Sequence, residues 1–142
     1  MAQLERSVVS LRIFGDSLVP DEITKILGAH PTKSQIKGET LLSKNTGINR
    51  IANSGMWRLN AEESKPENLD GQIKELLSKL TDDLEIWAKI KEQFEVDLFC
   101  GLFMGVWNEG LSISPQTLAA IGLRGIELGL DIYGPDEEPE TN

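Results

Sequence analysis

The chain has 142 residues, 39% hydrophobic and 26% charged, with a formal net charge of −9 and a single cysteine. That length suits one domain with its own core. Cys100 alone excludes an intramolecular disulfide or a thiolate metal cluster, and the acidic balance argues against nucleic acid or an anionic membrane as partner. The charge is unevenly placed: residues 1–60 carry eight Lys/Arg against five Asp/Glu (+3), and residues 61–142 carry six against eighteen (−12). The amino terminus lacks the apolar core of a secretory signal, and no run approaches the roughly 20 apolar residues of a membrane span. A soluble, cytoplasmic protein is the expectation.

Val9, Leu11 and Ile13 alternate with Ser10 and Arg12, which predicts a central strand over residues 7–14. Gly15-Asp16-Ser17 ends it. Pro20 then opens a short helix with Asp21 and Glu22 near its positive end; Ile23, Ile26 and Leu27 form its apolar stripe, and Gly28 closes it. Residues 29–55 show no sustained period and predict an extended piece followed by a long loop. Residues 56–60 read as a short strand with Trp57 and Leu59 on one face. After the polar stretch around Pro66, Asn68 caps a helical region with Ile73, Leu76, Leu77 and Leu80 at helical spacing. Thr81-Asp82-Asp83 separates it from a second stripe, Leu84, Trp87 and Ile90, so one bent helix or two consecutive helices both fit.

Residues 94–107 are apolar at every even position, which predicts a long strand with Phe94, Val96, Leu98, Cys100, Leu102, Met104 and Val106 on one face. Asn108-Glu109-Gly110 reads as a turn and Leu111-Ser112-Ile113 as the return strand of a hairpin. Ser114 and Pro115 open a short helix towards Gly122, and Ile126, Leu128, Leu130 and Ile132 alternate into a final strand. Residues 1–134 are read as one domain, and the apolar-free residues 135–142 as an acidic disordered tail. Strand 7–14 with its helix and extended piece is echoed by strand 111–113, helix 115–122 and strand 126–133. The expected fold is an α+β two-layer sandwich: a largely antiparallel sheet of about five or six strands with helices on one face, in a duplicated, ferredoxin-like arrangement.

Several of these stretches carry a family resemblance. Leu11-Arg12-Ile13-Phe14-Gly15-Asp16, Pro20-Asp21-Glu22-Ile23-Thr24-Lys25-Ile26-Leu27-Gly28, His30-Pro31-Thr32 and Lys37-Gly38 resemble the opening of a bacterial family, number 4279 of the domains of unknown function. Gly55-Met56-Trp57-Arg58-Leu59 resembles its glycine–tryptophan strand, and Leu130-Asp131-Ile132-Tyr133 its closing strand. The resemblance spans residues 7–133 and implies a bacterial, cytoplasmic, single-domain protein. Its motifs are capped helices, turn glycines and a tryptophan, so it assigns no catalytic residue.

Chemistry-bearing residues are sparse. His30 has no second histidine with which to build a zinc site, and Cys100 lies on an apolar strand face without an evident base. Neither GxGxxG nor GxxxxGK[ST] occurs, and no carboxylate pair or Ser/His/Asp set stands out, so neither catalytic nor metal-binding residues are assigned and no cofactor is expected. Phe99, Phe103 and Trp107, with Asp97, Gly101 and Gly105, make up the opposite face of the long strand and offer a slot for a flat ligand or, more simply, aromatic packing against a helix. Lys33, Lys37, Lys44, Arg50 and Arg58, interspersed with glycines, form a basic loop able to meet an anionic ligand or an acidic protein surface. Arg12 joins them if its strand neighbours that of Trp57. The expected function is a non-enzymatic protein-interaction domain whose partner is a protein, including a further copy of this chain paired head to tail. The alternative is a binder of small anionic molecules, or an unrecognised enzyme, using a cleft near Arg12, Trp57, Arg58 and Trp107.

Overall fold

The computed structural model describes residues 3–136. Along the chain, β1 is Arg6–Gly15, α1 Pro20–Leu27, β2 Lys33–Gln35, β3 Thr40–Leu42, β4 Asn49–Ile51 and β5 Gly55–Asn60. They are followed by α2 (Leu69–Ser78), α3 (Leu84–Gln93), β6 (Glu95–Phe103), α4 (Pro115–Leu123) and β7 (Glu127–Tyr133). The predicted tail falls largely outside the described residues, at 137–142.

Local chemistry sets the helix ends. Pro20 opens α1, and Gly28 closes it at φ 85°, with its N–H donating to the Thr24 carbonyl at 2.9 Å. Asn68, Asp83 and Ser114 each cap a helix, accepting from the N–H of Gly71 (3.2 Å), Glu85 (3.0 Å) and Thr117 (3.2 Å) respectively. Because Asp83 starts a new helix, the Thr81-Asp82-Asp83 segment divides two helices and does not bend one.

The five-stranded sheet has the order β2-β5-β1-β6-β7; its first three pairings are antiparallel and β6–β7 is parallel. β1 is the central strand, as its complete alternation requires. β1–α1–β2 is a strand–helix–strand unit whose two parallel strands are split by β5, and β6–α4–β7 is the same unit closed up. The expected echo fails at residues 111–113, where no strand forms, and the strand–helix–strand unit around α4 begins at β6.

Odd positions of β1 and β5 and even positions of β6 turn towards the helices. There Val9, Leu11, Ile13, Trp57, Leu59, Val96, Leu98, Cys100 and Leu102 meet Ile23, Leu27, Ile73, Leu76, Trp87, Ile90 and Ile121 in one buried cluster. The result is a two-layer α+β fold with one sheet face covered by helices and the other open.

Two expectations are corrected. The alternation of residues 94–107 outlasts the strand: β6 stops at Phe103, and Val106 and Trp107 are 57% and 75% exposed. No hairpin follows, because both edges of β6 are already occupied, by β1 and by β7. Instead, the Glu109 carboxylate accepts from the backbone N–H groups of Gly105 and Val106 and curls the chain, while Leu111 and Ile113 pack on the core on the way to α4. The second correction lies within the predicted loop of residues 29–55, which holds the separate two-stranded hairpin β3–β4. Its strands are exposed at all but one position, so no buried face left a period in the sequence.

Candidate functional site

The strand register fixes what the open face presents. Lys33 stands opposite Arg58, Arg58 opposite Arg12, Arg12 opposite Asp97, and Asp97 beside Glu127. One row of charge thus crosses all five strands, cationic on β2, β5 and β1 and anionic on β6 and β7. Arg12 is engaged by its neighbour: its Nε and Nη2 donate to the Asp97 carboxylate at 2.9 and 2.7 Å. That hydrogen bonding raises the guanidinium pKa above its ordinary value, with burial opposing and the Asp97 charge assisting. The Arg12 guanidinium also lies 4.5 Å from the Phe99 ring centroid and 5.1 Å from that of Phe14. Arg58 has no such engagement. Its Nε is buried without a hydrogen-bond partner among the described residues, and its side chain forms no ion pair among them.

A second arginine–aromatic group occupies the far end of the face. Arg6 lies 3.5 Å over the Phe103 ring centroid and pairs with Glu63 at 3.1 Å, and Phe103 stacks on Tyr133 with centroids 4.8 Å apart. Between the two groups no slot opens at Gly101, since a Cβ there would come within 2.7 Å of Val8 Cγ2. The aromatic residues of β6 pack against arginines and a tyrosine on an open face and not against a helix.

Of the residues singled out in the sequence, the fold brings Arg12, Lys33 and Arg58 into adjacent positions. Trp57 is not with them. It is fully buried on the helix side, where its Nε1 donates to Thr24 Oγ1 at 3.0 Å, because residues adjacent along a strand point to opposite faces. Trp107 is also remote, its exposed ring lying over Gly134 beyond the end of β7. Lys37 is exposed and pairs with Asp16 at 3.0 Å. Lys44 is exposed in the β3–β4 connection. Arg50, on β4, shares with Lys33 a cleft of about 680 Å³ whose apolar lining includes Leu41, Leu42 and Ile48. Nothing local in the sequence marks Asp97 as the partner of Arg12, because only the β1–β6 register brings the two together.

Other titratable groups are structural in setting. Burial pushes the Cys100 thiol up to about 12, which leaves it a small apolar side chain and not a nucleophile. His30 is exposed in the turn after α1. Among the described residues no three His, Cys, Asp or Glu side chains are placed to hold a metal ion, and no helix is long and apolar enough to cross a membrane.

The family model described as "Domain of unknown function (DUF4279)" matches residues 4–135, nearly the whole chain, and the chain belongs to that family. No curated protein and no solved structure matches it.

Proposed function

We propose that this member of the family is a non-enzymatic protein-interaction domain that holds an acidic segment of a partner protein against the basic half of its open sheet face. One observation carries the proposal: Lys33, Arg58 and Arg12 stand side by side on a face that no helix covers among the described residues, and Arg58 forms no ion pair among them. Like charges directly opposite on a sheet destabilise it. A partner carboxylate seated on Arg58 would relieve that repulsion and form charge-assisted bonds in a partly desolvated place. Phe14 and Met56, also paired across β1 and β5 on this face, would supply apolar contact beside the charges. A bacterial, cytoplasmic setting is part of the proposal and rests on the family resemblance.

Fluorescence anisotropy with a labelled glutamate-rich peptide tests it. Binding should weaken as salt rises, and Arg58→Glu should weaken it at least about tenfold, or about 1.4 kcal/mol. Equal affinity of the two proteins would count against the face.

The cleft between Lys33 and Arg50 favours a second use, capture of a small organic anion, since two cations outnumber its one carboxylate, Glu39, beside an apolar lining. A thermal-shift series with dicarboxylates and nucleotides separates the two. A shift abolished by Arg50→Ala and retained by Arg58→Glu would place the ligand under the hairpin.

A further inference from the structure

The flank formed by α4 and β7 lies at the other edge of the sheet from β2, and it is built unlike a surface meant for water. α4 has no charged residue. It buries Thr117 and Ile121 yet leaves Leu118 52% and Leu123 66% exposed, with Ala119 and Gly122 exposed beside them. A helix apolar on all sides is ordinarily a covered one. Among the described residues β7 pairs with β6 alone and presents the other side of its seven residues as a free edge, without the Pro, Lys or bulge that commonly blunts one, its two charges, Glu127 and Asp131, lying on the open-face side. Leu130 and Ile132, on its helix-side face, are 49% and 58% exposed. α4 returns antiparallel between two parallel strands, so Leu118, near its start, is level with the C-terminal half of β7. Helix and strand thus make one apolar flank.

We infer that this flank is the interface of a two-fold homodimer in which β7 pairs antiparallel with β7 of a second copy, centred on Leu130. The choice of a second copy follows from self-complementarity. For the two sheets to join with their helices on one side, facing residues must come from the same sheet face, which restricts the central registers to Gly129, Leu130 and Asp131. Centring on Gly129 sets Glu127 against Asp131 of the second copy, and centring on Asp131 sets that carboxylate against its own image. Both place like charges directly opposite. Centring on Leu130 sets Leu130 against Leu130 and Leu128 against Ile132 on the helix side, with Asp131 against Gly129 and Glu127 against Tyr133 on the other. Apolar meets apolar and no carboxylate faces another. The small residues Ala119 and Gly122 leave room for the two α4 helices to draw close, and the helix-side layer of the interface (Leu128, Leu130 and Ile132) is free of charge, as homodimer cores are, with Asp131 on its open-face side. This surface is separate from the Lys33–Arg58–Arg12 row, so either can hold without the other.

Light scattering across a concentration series should give twice the 15.7 kDa chain mass, and Leu130→Lys, at a half-exposed position, should return the mass to 15.7 kDa with an unchanged circular dichroism spectrum. Leu130→Cys tests the register. Directly opposite Cα atoms lie about 4.5–5.5 Å apart, within disulfide range, whereas the two Tyr133 positions would be about 20 Å apart. Oxidation should therefore cross-link Leu130→Cys and leave Tyr133→Cys monomeric on a denaturing gel, with the buried Cys100 a bystander. A monomer at every concentration, a Leu130→Lys protein that remains dimeric, cross-linking at 133 but not 130, or open-ended growth through head-to-tail contacts would each overturn the inference.

Discussion

Arg12 and Arg58 face each other across the β1–β5 ladder, and among the described residues only Arg12 of the two meets a carboxylate, bonding Asp97 at 2.9 and 2.7 Å. The pair is therefore asymmetric in energy. Removing the Arg58 charge relieves a repulsion, and removing Asp97 strands a cation. Arg58→Gln should leave stability unchanged or raise it by up to about 1 kcal/mol. Asp97→Ala should lower it by about 1–3 kcal/mol. Urea unfolding of the two variants checks the contrast, and a large loss for Arg58→Gln would make that residue structural.

The helix-side position of Trp57 makes a second prediction. With the ring fully buried and its N–H held by Thr24, Trp57→Ala should destabilise the fold by about 3–5 kcal/mol. A thermal midpoint close to that of the parent chain would mean that the ring lines a site and not the core.

Acid should loosen the seam between α2 and α4. The Asp70 carboxylate accepts from the Ser114 N–H at 2.9 Å and pairs with Lys74 at 3.2 Å, and the backbone hydrogen bond chiefly lowers its pKa from 3.8 to about 2. A folded-state pKa below the unfolded value contributes stability that is present above pH 3.8 and is lost as the pH falls through about 2. Urea midpoints measured down this range should fall less steeply for Asp70→Asn than for the parent chain. Parallel curves would mean that Asp70 contributes nothing.

Cys100 should report global unfolding. Its side chain is fully buried and its thiol is pushed up to about 12, so a thiol reagent should label it only when the sheet opens. Labelling in native buffer should follow the unfolding equilibrium as urea is added. A fast native phase would contradict the packing of β6 against the helices.

Elements that encode themselves locally could be read from the sequence. The alternation of Val9, Leu11 and Ile13, the Pro20 and Gly28 ends of α1, and the Ser114-Pro115 start of α4 each state their structure within a few residues. Pairing does not. Residues 94–107 alternate like one strand of a local hairpin, yet β6 takes its partners from a strand more than 80 residues earlier and from one beyond α4. Charge type singles out Arg12, Lys33 and Arg58, which the strand register sets side by side, whereas adjacency along the sequence joins Trp57 to Arg58 and the fold parts them. The period of two that predicted the strand also separates those two residues, and it was the available signal. The lack of charge in α4 was equally visible, and it marks the apolar flank.

Amide chemical-shift mapping with a glutamate-rich peptide addresses the docking of an acidic partner most directly. If the basic half of the open face is the site, perturbed amides should cluster at Lys33, Met56, Arg58 and Arg12 and should vanish in Arg58→Glu. Shifts centred on Lys44 and Arg50, or a map unaltered by Arg58→Glu, would contradict it.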